Sequence, residues 1–230
     1  MPSAASHPNC AAIIVAAGSS RRMGMDKLAW PLAGVPVLRR TLEAFLAARS
    51  IQSVVVVCPE ERWKLLDGAD FTKPVLRTDG GAERQESVMK GLAALGEEAV
   101  FVAVHDGARP LVSPADIDAC VAAAITHRAA ALARRATETM KRSDAEGFCM
   151  ESVSRENLWC METPQVFETA LLREAYRHVA ERGLAVTDEV SALRQTAVKV
   201  KFIESMHPNL KITTPADLAL AEALMTQHAS

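Results

Sequence analysis

A cluster of three positive charges follows a short apolar segment near the start of the chain. Arg21, Arg22 and Lys27 lie within seven positions of one another, directly after the small residues 18–20. Such a cluster costs charge repulsion unless an anion shares it, and backbone N–H groups in a glycine turn bind phosphate. A solvated basic turn would explain the charges but not the small residues before them. We therefore expect a polyphosphate site here.

The spacing around this turn separates it from two common nucleotide-binding motifs. Five residues stand between Gly18 and Gly24, and Lys27 is followed by Leu28, so the segment is not a G-x4-G-K-[ST] phosphate loop. It also lacks the three glycines of the dinucleotide-binding G-x-G-x-x-G motif. Hydride transfer from a dinucleotide is therefore disfavoured.

A carboxylate in a second polar loop is the candidate metal ligand. Asp106 follows an apolar segment and precedes Gly107 and Arg109. A polyphosphate site needs a hard divalent cation, and Mg²⁺ takes carboxylate oxygen. The alternative is an aspartate that caps a turn or a helix. His105 has no second His or Cys at metal spacing, so we expect it to be packed or hydrogen-bonded rather than bound to zinc.

Composition bounds the class of protein. The 230 residues are 49% hydrophobic, which suits one globular domain, and the net charge of -2 gives no general attraction to nucleic acid. Five cysteines without a C-x-x-C pair argue against a disulfide framework and fit a reducing cytoplasm. The sequence shows no secretory signal and no apolar segment of the ~20 residues that cross a bilayer. We expect a cytoplasmic protein with no membrane partner.

Alternating apolar strands and amphipathic helices predict the scaffold. Continuous apolar segments such as 53–58 are typical of strands covered on both faces of a parallel sheet. The predicted strands cover 12–17, 53–58, 75–78, 99–104, 129–136, 199–203 and 210–213. The predicted helices cover 60–66, 83–95, 114–127 and 168–182, and three more begin at Pro36, Thr187 and Pro215. The pattern indicates an α/β fold with a mostly parallel sheet and helices on both sides.

Ligands in such sheets bind outside the carboxyl ends of the strands. The loops after Ala17, Thr78 and Val104 are therefore expected along one edge, with Lys211 on a strand that returns to the first loop. The segment 163–165 predicts a tight turn.

An irregular, polar segment over 137–160 alternates around the sequence D-A-E-G and predicts a β-hairpin that leaves the core. Phe148, Met150 and Trp159 lie near it, so we interpret it as a dimer arm. A solvent-exposed hairpin without a ligand role is the alternative.

Taken together, the motifs closely resemble those of 2-C-methyl-D-erythritol 4-phosphate cytidylyltransferases. The matching pieces are AAGSSRRMG with Lys27, TDGGAERQESV, VHDGARP, ETMKR, SREN-LW, TPQVF, TDEVSAL and NLKIT-PADL, and they extend from residue 12 to about residue 222. The AAG-x-x-x-RMG motif is shared by many sugar nucleotidyltransferases, whereas the combination and order of the motifs are specific.

The resemblance implies a Rossmann-like three-layer fold with a mostly parallel mixed sheet and a protruding β-hairpin arm. It implies one nucleotidyltransferase domain over 1–230, with 137–160 inserted as a dimerisation arm of a homodimer. The implied reaction transfers the cytidylyl group of CTP to 2-C-methyl-D-erythritol 4-phosphate, giving 4-diphosphocytidyl-2-C-methyl-D-erythritol and pyrophosphate in the non-mevalonate isoprenoid pathway.

Carried over motif by motif, the resemblance also implies site residues. Catalytic cations would be Arg22, Lys27, Arg155 and Lys211; substrate-binding residues would be Ala16, Ala17, Gly18, Gly80, Gly81, Ser87, Arg109, Thr139, Thr163 and Thr187; Asp106 would bind Mg²⁺. Gly80, Gly81, Ser87 and Arg109 would form the cytosine and ribose side. Thr139, Arg155, Thr163 and Thr187 would surround the methylerythritol phosphate, with either Arg155 alone or both Arg155 and Thr139 supplied by the arm of a partner subunit.

The chemistry of this reaction agrees with the residue types. A phosphate monoester is already largely ionised at pH 7, so the nucleophile needs no general base. The remaining task is to hold two polyanions together and to neutralise charge on the α-phosphoryl oxygens, which needs fixed cations and a metal.

Two departures and two alternatives qualify the resemblance. Ala82 stands where relatives often carry an acidic residue, which bears on cytosine preference, and Gly107 replaces a frequent alanine. A ribitol 5-phosphate cytidylyltransferase is the nearest alternative, although Ala108 favours methylerythritol phosphate because ribitol-type relatives tend to carry valine there. The other alternative is a non-catalytic nucleotide-binding module.

Overall fold

A computed structural model describes residues 8–18 and 25–228, and a seven-stranded sheet forms the centre of this part of the chain. In chain order the strands are β1 (Cys10–Val15), β2 (Pro31–Leu32), β3 (Val35–Pro36), β4 (Ile51–Val57), β5 (Val75–Thr78), β6 (Phe101–Asp106), β7 (Ala129–Arg135), β8 (Met140–Ser143), β9 (Cys149–Val153), β10 (Trp159–Glu168) and β11 (Lys201–Glu204). The sheet has the order β11-β7-β10-β6-β1-β4-β5. Strand β10 pairs antiparallel with β6 and β7, and the other pairs are parallel.

The helices cover both faces of this sheet. They are α1 (Val37–Ala47), α2 (Glu60–Trp63), α3 (Arg84–Ala94), α4 (Pro114–His127), α5 (Thr169–Glu181), α6 (Glu189–Ala192) and α7 (Pro215–His228). Helices α1, α4 and α7 pack on one face, and α3 and α5 pack on the other. Side chains alternate across a strand, so the fully buried neighbours Ile13 and Ile14 of β1 enter opposite layers of the core. The expected α/β class with a mostly parallel mixed sheet is confirmed.

Two local predictions are wrong. Residues 163–165 do not form a tight turn before α5; they lie inside β10, where the pairing with β7 shifts between Met161 and Gln165 around a cis Thr163–Pro164 peptide. Proline inside a strand commonly marks such a bulge, which the sequence pattern does not distinguish from a turn. The segment 210–213 is not a strand, because a single backbone bond, from Ile212 N to Ala108 O at 2.8 Å, ties it to its neighbour.

The predicted hairpin is present as a separate two-stranded sheet. Strands β8 and β9 pair antiparallel, and the carboxylate of Asp144 accepts a hydrogen bond from Phe148 N across the turn. Phe148 and Met150 are 72% and 67% exposed, so the hairpin carries apolar side chains in water. No helix among residues 8–18 and 25–228 is long and apolar enough to cross a membrane.

Candidate active site

Three loops meet where β1, β5 and β6 end. A Cβ atom on Gly80 would lie 2.1 Å from the Cβ of Ala17, and a Cβ on Gly107 would lie 3.2 Å from the Cβ of Ala16. Because these distances leave little or no room for a side chain, the small residues are what allow the loops to approach so closely. The arrangement predicted for the carboxyl edge of the sheet is therefore built by backbone packing.

A cavity of about 320 Å³ opens between these loops. Of the site residues that the sequence indicates, the cavity is lined by Ala16, Ala17, Gly18, Lys27, Gly81, Ser87, Asp106 and Lys211. Its other lining residues are Val15, Leu28, Ala82, Glu83, Arg84 and Ala108. Gly80 lies directly behind Ala17. Arg22 falls in 19–24, outside the described residues.

The carboxylate of Asp106 is surrounded by cations. Its Oδ2 lies 2.8 Å from Lys211 Nζ and 3.8 Å from Arg109 Nε, and its Oδ1 lies 3.2 Å from Arg84 Nε. Burial raises the pKa of Asp106, but the Arg84 and Lys211 charges outweigh burial and hold the pKa of this carboxyl well below its usual range. Asp106 is therefore ionised at neutral pH.

Two lysines from opposite ends of the chain reach this cavity. Lys27 Nζ donates to the backbone carbonyl of Ile212 at 2.6 Å, and Lys211, the preceding residue, pairs with Asp106. The bond from Ile212 N to Ala108 O fixes this segment against the β6 loop. Lys211 is thus positioned by a segment without regular secondary structure, and the strand expected there does not form.

Arg84 is a member of the site to which sequence analysis gave no role. Its two terminal nitrogens pair with the two carboxylate oxygens of Glu189 at 2.7 and 3.0 Å, while its Nε faces Asp106. Glu189 is fully buried and also accepts a hydrogen bond from Tyr176 Oη at 2.8 Å. Burial lowers the pKa of Arg84, but Glu189 and Asp106 raise it by more, so the guanidinium stays charged.

His105 and Thr163 support Asp106 from behind. His105 is buried, and its Nε2 lies 3.2 Å from the carbonyl of Arg109, which can only accept. Nε2 therefore carries the proton, and Nδ1 accepts from the Thr163 hydroxyl at 2.9 Å. The same hydroxyl accepts from Asp106 N at 3.1 Å. The expected hydrogen bonding of His105 is present at both ring nitrogens.

The remaining substrate-side residues do not belong to the cavity lining, although Arg109 and Thr163 contact Asp106. Arg109 donates to the carbonyl of Asn209 at 2.7 Å, and within the described part of the chain its buried Nε lacks a hydrogen-bond partner. Thr187 pairs with Ser191 through their hydroxyls. At the base of the exposed hairpin, Arg155 donates to the carbonyl of Thr137. Across 8–18 and 25–228, the cavity lining includes none of Arg109, Thr139, Arg155, Thr163 and Thr187.

The donor set limits what metal could bind. Within the described residues, no three His, Cys, Asp or Glu side chains gather into a metal-binding group. Among the described residues, Asp106 and Glu83 are the carboxylates in the cavity lining, and the pKa of Asp106 is lowered by the cations around it. That set does not suit zinc, but it fits Mg²⁺, which commonly takes one or two carboxylates and completes its shell with substrate phosphates and water.

Fold and site together define a nucleotide-binding α/β protein with a basic cavity at the carboxyl edge of its sheet. Residues 10–227 match the protein family described as "IspD: 2-C-methyl-D-erythritol 4-phosphate cytidylyltransferase". The chain belongs to this family, as its motifs indicated.

Known proteins of this family are similar to the chain over most of its length. A 2-C-methyl-D-erythritol 4-phosphate cytidylyltransferase of Parasynechococcus marenigrum is 44% identical over 217 residues, covering 93% of this chain and 96% of that protein. A chloroplastic enzyme of the same name from Oryza sativa is 37% identical, covering 94% of this chain and 74% of that protein. The crystal structure of the Thermus thermophilus enzyme superimposes with a TM-score of 0.78 at 33% identity, covering 95% and 99% of the two chains.

We expect Arg84→Met to destabilise the protein strongly. The substitution leaves the buried Glu189 carboxylate without its cation, a change that typically costs about 3–5 kcal/mol of unfolding free energy. Adding Glu189→Gln should recover most of that loss, because glutamine is neutral and still accepts from Tyr176. Urea unfolding of the two variants measures both effects. A double variant no more stable than Arg84→Met alone would contradict the pairing.

His105 should make stability depend on pH. Burial lowers the pKa of His105 to about 3, whereas an unfolded histidine titrates near ~6.5, so the unfolded chain takes up the proton first. The stability contribution of neutral His105 is complete above pH ~6.5 and falls by about 1.4 kcal/mol per pH unit below it, down to about pH 3.

The asparagine variant His105→Asn lacks this titration. Its deficit in unfolding free energy relative to the native sequence should therefore shrink as the pH is lowered from 7 to 4. Denaturant titrations at several pH values measure the deficit, and a deficit that stays constant would show that His105 does not titrate on unfolding.

Proposed function

We propose that this chain transfers the cytidylyl group of CTP to 2-C-methyl-D-erythritol 4-phosphate and releases pyrophosphate. Its family is named for this reaction. The observation that carries the proposal is the convergence of Lys27, Lys211 and Asp106 on one cavity beneath glycine-containing loops. Fixed cations beside a cavity of this kind are what a triphosphate requires.

The proposed reaction needs charge stabilisation more than proton transfer. An oxygen of the acceptor phosphate attacks the α-phosphorus of CTP, the bond from that phosphorus to the bridging oxygen of the β-phosphate breaks, and pyrophosphate leaves with that electron pair. The acceptor phosphate is already ionised, so no base is needed. Lys27, together with Arg22 five positions before it in the sequence, would neutralise the triphosphate, and Lys211 would stabilise charge on the transferred phosphoryl group.

Mg²⁺ is the cofactor that we propose for this site, with Asp106 as its protein ligand. When bound, the metal supplies further neutralisation of the phosphate oxygens. The Arg84 and Lys211 charges lower the pKa of Asp106, which favours the ionised oxygen that Mg²⁺ takes as a ligand. Lys211 and Arg84 pair with its two oxygens, so both cations would lie close to phosphate oxygens if Asp106 held the metal.

The nucleoside side of the proposed site lies at the β5 loop. Gly81 and Ser87 line the cavity there, beside Gly80, and Gly81 N donates a hydrogen bond to Ser87 Oγ at 3.0 Å. We place cytosine and ribose against Ala16, Ala17, Gly18 and this loop, with Arg109 behind them. The base would meet backbone groups, since Ala82 contributes no carboxylate.

The acceptor side is proposed to be completed by a second copy of the chain. Thr163 and Thr187 lie on the sheet side, whereas Thr139 and Arg155 lie at the exposed hairpin. Phe148 and Met150 give that hairpin an apolar surface suited to burial against a partner. We therefore propose a homodimer of single nucleotidyltransferase domains, each comprising 1–230, in which 137–160 is the dimerisation arm.

Composition supports a cytoplasmic location. The described structure contains five free cysteines, three of them buried, which suits a reducing compartment. The net charge of -2 gives no basis for a nucleic-acid partner, and we propose no membrane partner.

Pyrophosphate release tests the proposed function. Purified protein with Mg²⁺ and CTP should release pyrophosphate with 2-C-methyl-D-erythritol 4-phosphate and far more slowly with ribitol 5-phosphate. UTP, ATP and GTP should replace CTP poorly if backbone groups at the β5 loop select cytosine. Release that requires ribitol 5-phosphate, or no release with either acceptor, would contradict the assignment.

Lys27→Ala should lower kcat by about a hundredfold or more, the usual effect of losing one preorganised group that stabilises the transition state. Lys73→Ala is the matched control, because Lys73 also donates to backbone carbonyls, those of Phe45 and Ala48, and does not line the cavity. Near-normal turnover in Lys27→Ala would remove Lys27 from the proposed mechanism.

A further inference from the structure

Arg62 joins the two sides of the first loop from a position outside the cavity. It lies in α2, the short helix after β4, and its side chain is 11% exposed. Its Nη1 donates to the carbonyl oxygens of Ala16 at 2.5 Å and Gly18 at 2.9 Å. Its Nε pairs with the Asp26 carboxylate at 2.7 Å. One guanidinium thus contacts residues that are ten positions apart.

The groups that Arg62 holds belong to the cavity wall or adjoin it. Ala16 and Gly18 line the cavity, and Asp26 directly precedes Lys27, which also lines it. The second oxygen of Asp26 accepts a hydrogen bond from Leu28 N at 3.1 Å. The Asp26 carboxylate therefore ties together the residues before and after Lys27. Arg62 therefore sets the separation between the glycine turn and the lysine that would bind the triphosphate.

The contacts also fix the direction of a backbone amide. In a trans peptide the C=O of one residue and the N–H of the next point in opposite directions. The carbonyl of Ala16 points to Arg62, so the N–H of Ala17 points away from it. Among the residues that the structure describes, the cavity lining includes Ala17 but does not include Arg62.

We propose that Arg62 is a positioning residue for the nucleotide. It does not touch the substrate; it holds the Ala16–Gly18 backbone and, through Asp26, Lys27 at the spacing that a triphosphate needs. A planar guanidinium with several donors in fixed directions suits this task, and lysine could satisfy only part of it. The inference rests on the proposed function, because it assumes that the cavity binds CTP.

Arg39 provides a matched control elsewhere in the fold. Its Nε pairs with Glu43 at 2.8 Å, and its terminal nitrogens donate to the carbonyls of Asp67 at 3.2 Å and Gly68 at 2.7 Å. Arg39 therefore makes the same set of contacts as Arg62, one carboxylate and two backbone carbonyls. It does not line the cavity. Any general cost of losing such contacts should appear equally in both variants.

The test compares Arg62→Met with Arg39→Met, which keep apolar bulk but remove the donors. Calorimetric titration with CTP in the absence of acceptor should show Kd raised about tenfold or more in Arg62→Met and unchanged in Arg39→Met. In turnover, Arg62→Met should raise KM for CTP while KM for the acceptor phosphate stays within about twofold of the native value. Thermal unfolding should shift by similar amounts in the two variants.

A double-mutant cycle tests the route through Asp26. Asp26→Asn keeps an oxygen for Leu28 N but loses the charge that pairs with Arg62. Its effect on CTP binding should be smaller in Arg62→Met than in the native sequence, and Arg62→Lys should recover part of the affinity.

Two results would overturn the positioning role. One is a loss of stability in Arg62→Met with CTP affinity unchanged, and the other is an equal loss of affinity in Arg39→Met. Because the titration contains no acceptor, it separates this proposal from the proposed function. Native protein that binds CTP but releases no pyrophosphate would contradict the proposed function and leave the Arg62 comparison valid.

Discussion

The carboxylate of Asp106 is the point on which the site depends. Three cations from different parts of the chain converge on it: Arg84 from α3, Arg109 from the loop after β6, and Lys211 from the segment before α7. The converging charges would repel one another without Asp106, and a buried carboxylate would be costly without them. The same carboxylate is therefore both the electrostatic anchor of three segments and the oxygen that we propose for Mg²⁺.

Layers of support extend outward from that carboxylate. Tyr176 and Glu189 fix Arg84, while His105 and Thr163 hold the backbone of Asp106. On the opposite wall, Arg62 fixes the first loop and Lys27 is tied to Ile212. With supporting groups already in place, the cavity has its charges oriented before a substrate arrives, which is the condition for electrostatic stabilisation of a transition state.

Much of this arrangement could be predicted from the sequence because its signals are local. Helix α4 has the predicted bounds, 114–127, since Ser113 and Pro114 mark its start and the apolar spacing continues to its end. The parallel sheet follows from apolar strands alternating with helices, and the shared edge then places the three loops together. The small residues Ala17 and Gly80 then allow two of these loops to pack closely against each other.

The rest depends on pairings that sequence spacing does not encode. Arg84 and Glu189 are 105 positions apart, and no local pattern shows that they share a buried bridge. Arg62 looked like an ordinary charge on a short helix. Pro164 suggested a turn because bulges and turns use the same residue types. Residues 210–213 suggested a strand because their apolar alternation is that of a strand. The described fold contains no partner strand for them.

The most direct test of the central role of Asp106 is calorimetric binding of CTP to Asp106→Asn and to the native protein, each with EDTA and with Mg²⁺. Without metal, the variant should bind CTP more tightly than the native protein, because Arg84 and Lys211 lose their competing anion. With Mg²⁺, the affinity of the native protein should rise, whereas that of the variant should stay nearly unchanged. An equal gain from Mg²⁺ in both proteins would contradict the account.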